Sequence, residues 1–146
     1  MCIALVLWVG GLSFYALAVI PEAHEVLGGH RPVGFITRRV TVWLNLLGVV
    51  LIAALAGDLR HRRAGPRAWI ALGVMAVAQA FLFVWHGQVD GFLDVPTQGI
   101  SAPDTFYVFH RVYLWVTAVE WLCAVGLGVT ALAAWRDADR ALGTGA

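Results

Sequence analysis

The chain of 146 residues is 60% hydrophobic and only 13% charged, with a mean hydropathy of +0.78. A soluble domain is roughly half apolar and about a quarter charged, so this composition excludes an ordinary water-soluble protein and indicates a protein in contact with the lipid bilayer. The net charge of +1 gives no basis for nucleic-acid binding, which requires a concentrated basic surface. At this length we expect one domain, residues 1–146.

Four apolar runs follow one another along the chain, at residues 2–20, 40–57, 68–85 and 106–135. A helix needs about 20 apolar residues to cross the hydrocarbon layer of a bilayer, and each run meets or nearly meets that length. The first run has no basic segment before it and no small-residue cleavage site after it, so we interpret it as a span rather than a cleaved signal peptide. The predicted fold is all-α, an antiparallel four-helix transmembrane bundle.

The connections between the runs are short. Residues 58–67 are polar and contain a Gly-Pro turn signal, so the second and third spans should be antiparallel neighbours. Gly28 and Gly29 predict a helix stop between the first and second spans. Residues 86–105 hold three glycines, two prolines and three aspartates, which is typical of a loop.

Arginine placement predicts the orientation in the membrane. With four spans, both termini and the loop between spans two and three share one side. That side holds six of the ten arginines, Arg60, Arg62, Arg63, Arg67, Arg136 and Arg140. The other side holds the remaining four, Arg31, Arg38, Arg39 and Arg111. The positive-inside rule therefore predicts that both termini are cytoplasmic.

In this orientation most polar groups fall in the outer half of the bundle. At a helical rise of 1.5 Å per residue, Glu120 lies about 12 Å below Val112, and Asn45 and Gln79 lie about 8 and 9 Å inside their runs. A spacing of 3, 4 and 3 residues places four polar side chains of the last run on one helical face: His110, Tyr113, Thr117 and Glu120. Four of the five histidines also fall at the outer ends: His24, His30, His86 and His110.

Two interpretations compete for these residues. For Asn45, Gln79 and Thr117 we favour helix packing, with hydrogen bonds that average about 0.6 kcal/mol between membrane helices. Close backbone approach is expected at the glycines, Gly48, Gly73, Gly126 and Gly128. Three tryptophans are expected in the interface belt, Trp85, Trp115 and Trp135.

Glu120 is the one carboxylate inside an apolar run. Its insertion costs about 2.5–3.5 kcal/mol, so it must be paired, hydrated or protonated. Two roles are equally well supported for this residue. One is structural, and the other is functional, as a contact for a proton, a cation or a ligand.

The histidines are candidate metal ligands, chiefly His24, His86 and His110, and His86 with His110 is the pair that would suit haem iron. No HxxxH or HExxH pattern is present, so capping, interface hydrogen bonds and loop solvation suit these histidines better. We therefore expect no cofactor, with haem or copper as the minority alternative. The sequence also lacks a nucleophile elbow, a phosphate loop and a dinucleotide fingerprint, which argues against an enzyme.

Three segments carry a resemblance to a known family: LWVGGLSFYALAVIP in the first run, GFITRRVTVWLNLLG at the second and FHRVYLWVTAVEWL at the fourth. They resemble an uncharacterised family of small four-span bacterial membrane proteins. The Trp-Gly-Gly start and proline end of the first run are also distantly similar to the membrane domain of copper-resistance D proteins, although this chain has four spans and no methionine-rich ligand set. The resemblance implies an integral protein of the bacterial inner membrane and carries over no catalytic residue.

Three functional hypotheses follow. The first is a non-enzymatic membrane protein that binds a small ligand or ion in an outward-facing polar pocket centred on Glu120, His110 and His86. The second is a structural or accessory subunit, in a homo- or hetero-oligomer formed through the membrane helices. The third is a membrane redox component with histidine-ligated haem or copper.

Overall fold

The structure, a computed structural model, describes residues 2–97 and 99–143 and is built almost entirely of helix. The first helical segment is continuous and consists of α1, a five-residue π-helical turn and α2. Three single helices follow it. Their bounds are α1 Cys2–Phe14, the π-helical turn Tyr15–Val19, α2 Ile20–Leu27, α3 His30–His61, α4 Pro66–Asp90 and α5 Pro103–Gly143.

Four helical stretches are long and apolar enough to cross a bilayer, as a multi-pass membrane protein requires. We number them spans one to four: Ile3–Leu27, Pro32–His61, Pro66–Asp90 and Pro103–Asp137. Their outward faces are apolar, since Ile3 is 78% exposed and Val77 is 72% exposed. The all-α fold and the lipid environment predicted from composition are thus confirmed.

The helices pack as a ring in chain order. Spans one and two contact each other, α4 packs between α3 and α5, and α5 closes the ring against α1. His86 of α4 lies beside the backbone of Arg38 in α3, and at the opposite end of the bundle Leu59 and Leu72 share a core. Successive helices are therefore antiparallel, as predicted.

The helices extend beyond the apolar runs that revealed them. α3 begins at His30, ten residues before Val40, and α4 continues from Trp85 to Asp90. Hydropathy marks the stretch that suits lipid, whereas backbone conformation and caps set the ends of a helix. Gly28 has a φ of 69°, so the predicted glycine stop between the first two spans is confirmed.

The π-helical turn in span one was not predicted. The N–H of Ile20 bonds to the carbonyl of Tyr15, five residues back. Pro21 follows directly and has no N–H to donate, so it favours a local departure from α-helical bonding. A short hairpin between α4 and α5 was also missed, with strands β1 Leu93–Asp94 and β2 Gly99–Ile100.

An apolar core fills the half of the bundle nearer to the α3–α4 loop. Nine buried residues from all four spans form it: Leu5, Trp8, Leu51, Leu55, Leu59, Leu72, Met75, Ala124 and Leu127. The most enclosed are Leu55, Met75 and Ala124, which are 0% exposed. We call these residues, apart from Trp8, the apolar core.

Two expectations about packing residues need correction. A Cβ at Gly48 would collide with Gln79, and one at Gly128 would lie 3.9 Å from Leu5. A Cβ at Gly73 or Gly126 would meet nothing within 4 Å, so the close approach expected at these two glycines is not found. Trp85 lies between helices, because its ring stacks on Phe109 at a centroid distance of 4.6 Å and its Nε1 donates to the Phe109 carbonyl at 2.9 Å.

Candidate functional site

A layer of buried polar side chains lies one helical turn above the apolar core, toward the end with the hairpin. Met75 of α4 and Ala124 of α5 pack together in that core. Gln79 is four residues after Met75, and Glu120 is four residues before Ala124. Because α4 and α5 are antiparallel, Gln79 and Glu120 lie on the same faces as these core residues, at a common level. We call Trp8, Gly48, Gln79 and Glu120 the polar layer.

Gly48 makes room for Gln79 inside the bundle. A Cβ built at Gly48 would overlap Oε1 of Gln79, and it would lie 3.5 Å from Nε1 of Trp8. Three spans therefore meet here, where the indole N–H of Trp8 and the amide of Gln79 lie against the backbone of Gly48. Gln79 is 3% exposed and Trp8 is 7% exposed, so this contact is closed to the surroundings of the bundle.

The polar layer is short of hydrogen bonds. Four of its buried atoms have no hydrogen-bond partner within the described part of the chain: Nε1 of Trp8, Oε1 and Nε2 of Gln79, and Oε1 of Glu120. Glu120 is 1% exposed. Each buried polar group without a partner costs about 1–3 kcal/mol, and a charged one costs more. The hydrogen-bonding capacity of the layer is therefore unmet within the described part.

Glu120 forms no ion pair with a basic side chain among the described residues. The ion pairs among the described residues join Arg38 to Asp90, Arg62 to Asp58, and Arg140 to Asp137. Each of these pairs lies at an end of the bundle, far along the helices from Glu120. The sequence predicts that Glu120 is paired, hydrated or protonated, and no ion pair with Glu120 forms in the described part.

The next polar level up is held by hydrogen bonds. The hydroxyl of Tyr113 donates to Oδ1 of Asn45 at 2.8 Å, which joins α5 to α3 across the bundle. Thr117 donates to the Tyr113 carbonyl of its own helix at 3.0 Å. Asn45 thus makes the interhelical hydrogen bond predicted for it. Thr117 bonds within its own helix, and Gln79 has no interhelical partner in the described part.

The histidines at the hairpin end are held separately. Nε2 of His86 lies 3.3 Å from the carbonyl of Arg38, and its ring meets Tyr113 edge-on. The ring of His110 stacks on Phe106 at 5.8 Å. Nδ1 of His24 lies 2.8 Å from the carbonyl of Ile20 in its own helix. The side chain of His30 lies outside the described residues.

The candidate metal ligands are not assembled around one point. Across the described residues, no group of three His, Cys, Asp or Glu side chains is placed to hold a metal ion. His86 and His110, nominated as a haem pair, each have another contact. The haem or copper hypothesis stays a prediction.

Sequence reasoning found Glu120, Gln79, Asn45 and Tyr113 but missed Trp8. No local signal separates Trp8 from the belt tryptophans, because its role depends on a neighbour at Gly48. A second missed contact joins spans one and four, where Nε1 of Trp121 donates to Oγ of Ser13 at 3.0 Å.

Two surface grooves open between α4 and α5, and the polar layer lines neither. The first, about 460 Å³, is apolar and is bordered by Gly73, Val77 and Val116. The second, about 500 Å³, lies at the α3–α4 loop and includes Arg67 and Gly126. The side chains of the polar layer are buried instead, with Glu120 1% and Gln79 3% exposed.

No family model, no curated protein and no solved structure matches this chain. A function for it therefore has to be argued from the residues themselves.

Proposed function

We propose that this multi-pass membrane protein binds a small cation, either a proton or an alkali-metal ion, inside its helix bundle, with Glu120 as the anionic group. The supporting observation is the missing hydrogen bonds of the polar layer: Oε1 of Glu120 and both amide atoms of Gln79 have no partner in the described part. In this proposal the protein is a binding protein and not an enzyme.

The chemistry of the layer suits a cation. Carboxylate and amide oxygens are the ligands that hard cations prefer, and Glu120 and Gln79 supply both kinds. The Trp8 indole N–H is a donor only, so it suits a carboxylate or amide oxygen of the same layer. A proton on Glu120 would remove the charge and create a donor for Oε1 of Gln79. Either cation would offset the insertion cost of about 2.5–3.5 kcal/mol for a buried carboxylate.

We propose that the cation enters the polar layer from the hairpin end of the bundle. Above the polar layer lie Tyr113, Asn45 and His86, whereas the apolar core lies below it. In the proposed orientation the termini and the arginine-rich loop face the cytoplasm of a bacterial cell and the hairpin end faces outward. The six-to-four distribution of arginines supports this orientation.

A structural or accessory subunit is the second candidate. The bonds from Tyr113 to Asn45 and from Trp121 to Ser13 favour it, because both fix helices against each other without any ligand. This candidate does not account for the unbonded atoms of Gln79 and Glu120.

A ligand that binds the folded state stabilises it by an amount that rises with ligand concentration. We would measure the melting temperature of purified protein in detergent with lithium, sodium and potassium chloride, with choline chloride as the ionic-strength control, over a range of pH. Wild type should respond to one alkali ion or to pH, and Glu120→Gln should fold but lose that response. Equal responses from the two proteins would overturn the proposal and favour the structural subunit.

A further inference from the structure

The groove at the α3–α4 loop combines an apolar floor with a basic mouth. It has a volume of about 500 Å³ and lies between α4 and α5. Ala71, Cys123 and Gly126 lie along its length, while Gly65 and Arg67 lie where the loop meets α4. A Cβ at Gly126 would meet nothing within 4 Å, so this glycine leaves the groove open.

Arg67 lines the loop end of this groove, and the loop end of the bundle carries further arginines without an ion pair in the described part. Arg60, Arg63 and Arg67 are exposed, and none of them forms an ion pair within the described part. Asp58, in the last turn of α3, is the one acidic residue among residues 58–67, and it pairs with Arg62 at 2.6 Å. The loop therefore presents a net positive surface at the level where phospholipid headgroups meet a membrane protein.

We propose that this groove binds an anionic phospholipid, with one acyl chain along Ala71, Cys123 and Gly126 and the phosphate at Arg67. The groove contributes apolar contact, and each basic residue near the membrane surface adds attraction for an anionic headgroup worth about fivefold in affinity. Basic recesses between membrane helices suit such headgroups. A second copy of the chain in the same orientation would bring its own arginine-rich loop to the same level, so like charges disfavour it as the occupant.

The groove is separate from Glu120, and the chain supplies matched controls. The groove bordered by Gly73 joins the same two helices but has no charged residue in its lining. A Cβ at Gly73 also meets nothing within 4 Å. Gly73→Leu is therefore the control for Gly126→Leu, which should fill the basic groove. Arg111, exposed and without an ion pair in the described part, lies toward the other end of the bundle, so Arg111→Gln is the control for Arg67→Gln.

The test is native mass spectrometry of the purified protein titrated with dioleoyl phosphatidylglycerol, dioleoyl phosphatidylcholine or soluble glycerol 3-phosphate. We expect preferential binding of phosphatidylglycerol, a roughly fivefold weakening in Arg67→Gln, loss of the preference in Gly126→Leu, and no change in either control. Glycerol 3-phosphate should not bind, since it lacks the acyl chain.

Equal binding of the two lipids would overturn the proposal, as would equal effects of each variant and its control. Binding of glycerol 3-phosphate as tight as that of the lipid would also overturn it, because the groove would then contribute nothing. Arg67→Gln changes an exposed side chain, so this comparison stays decisive even if Gly126→Leu fails to fold.

Discussion

The two halves of the bundle are built from the same four spans but satisfy different requirements. Below the polar layer, Leu55 and Met75 are fully enclosed by apolar neighbours. One turn higher, Gln79 and Glu120 are almost as deeply buried, yet polar atoms of both side chains lack partners in the described part. A layer retained at a cost to stability is a candidate for function, whereas the apolar half accounts for the fold.

The largest expected effect lies at the boundary between the halves. Gly48→Leu should destabilise the bundle by about 3 kcal/mol, the upper range for overpacking, because its side chain would occupy the place of Gln79. Denaturant titration in detergent would measure the change. Gly73→Leu, with open space at its Cβ, should cost little. Adding Gln79→Ala should recover part of the loss; two strictly additive changes would contradict the close contact.

Within the apolar half, Leu55→Ala should cost about 2 kcal/mol, the low end for large-to-small changes. The value should be low because lipid is as apolar as the core, so mainly packing is lost. Leu47, which is 55% exposed on the same helix, gives the control Leu47→Ala with a near-zero effect. If the two alanine variants unfold alike under denaturant titration, the apolar core is not the stabilising half.

A smaller loss of stability is expected at the hydrogen bond between Tyr113 and Asn45, above the polar layer. Tyr113→Phe removes the hydroxyl that donates to Asn45 at 2.8 Å and should cost about 1 kcal/mol, because Oδ1 of Asn45 loses its donor. Tyr107 is 50% exposed, so Tyr107→Phe should leave the melting temperature unchanged. An equally neutral Tyr113→Phe would show that this bond does not stabilise the packing of α3 against α5.

The smallest effect is expected at the hairpin end. Arg38 pairs with Asp90 between α3 and α4, with both side chains about a quarter exposed. Exposed ion pairs contribute about 0–1 kcal/mol, so Arg38→Gln should lower the melting temperature only slightly and the loss should shrink in high salt. Arg39→Gln, without an ion pair in the described part, is the control. If Arg38→Gln lowers the melting temperature more than Leu55→Ala does, the ion pair at the hairpin end contributes more to stability than the apolar core, contrary to this account.

Composition and apolar runs were sufficient to predict the four helices, their antiparallel order and the buried faces of Gln79 and Glu120, because these depend on period and length along one chain. Hydropathy does not report local backbone hydrogen bonding. Three features depend on that bonding and were therefore missed: the π-helical turn before Pro21, the hairpin and the full length of α3. The meeting of Trp8 with Gly48 depends on the rotation of separate helices about their axes, which a single sequence does not specify.

The central claim is that Glu120 binds and releases a small cation in the polar layer. Infrared difference spectroscopy reports it directly, because the C=O stretch of a protonated carboxyl disappears when the proton leaves. We would record spectra of wild type and Glu120→Gln in lipid, while pH or the alkali chloride is changed with choline chloride as control. We predict a carboxyl band that responds to pH or to one alkali ion in wild type and is missing in Glu120→Gln. Identical responses of wild type and Glu120→Gln in both the carboxyl and the carboxylate bands would contradict the claim.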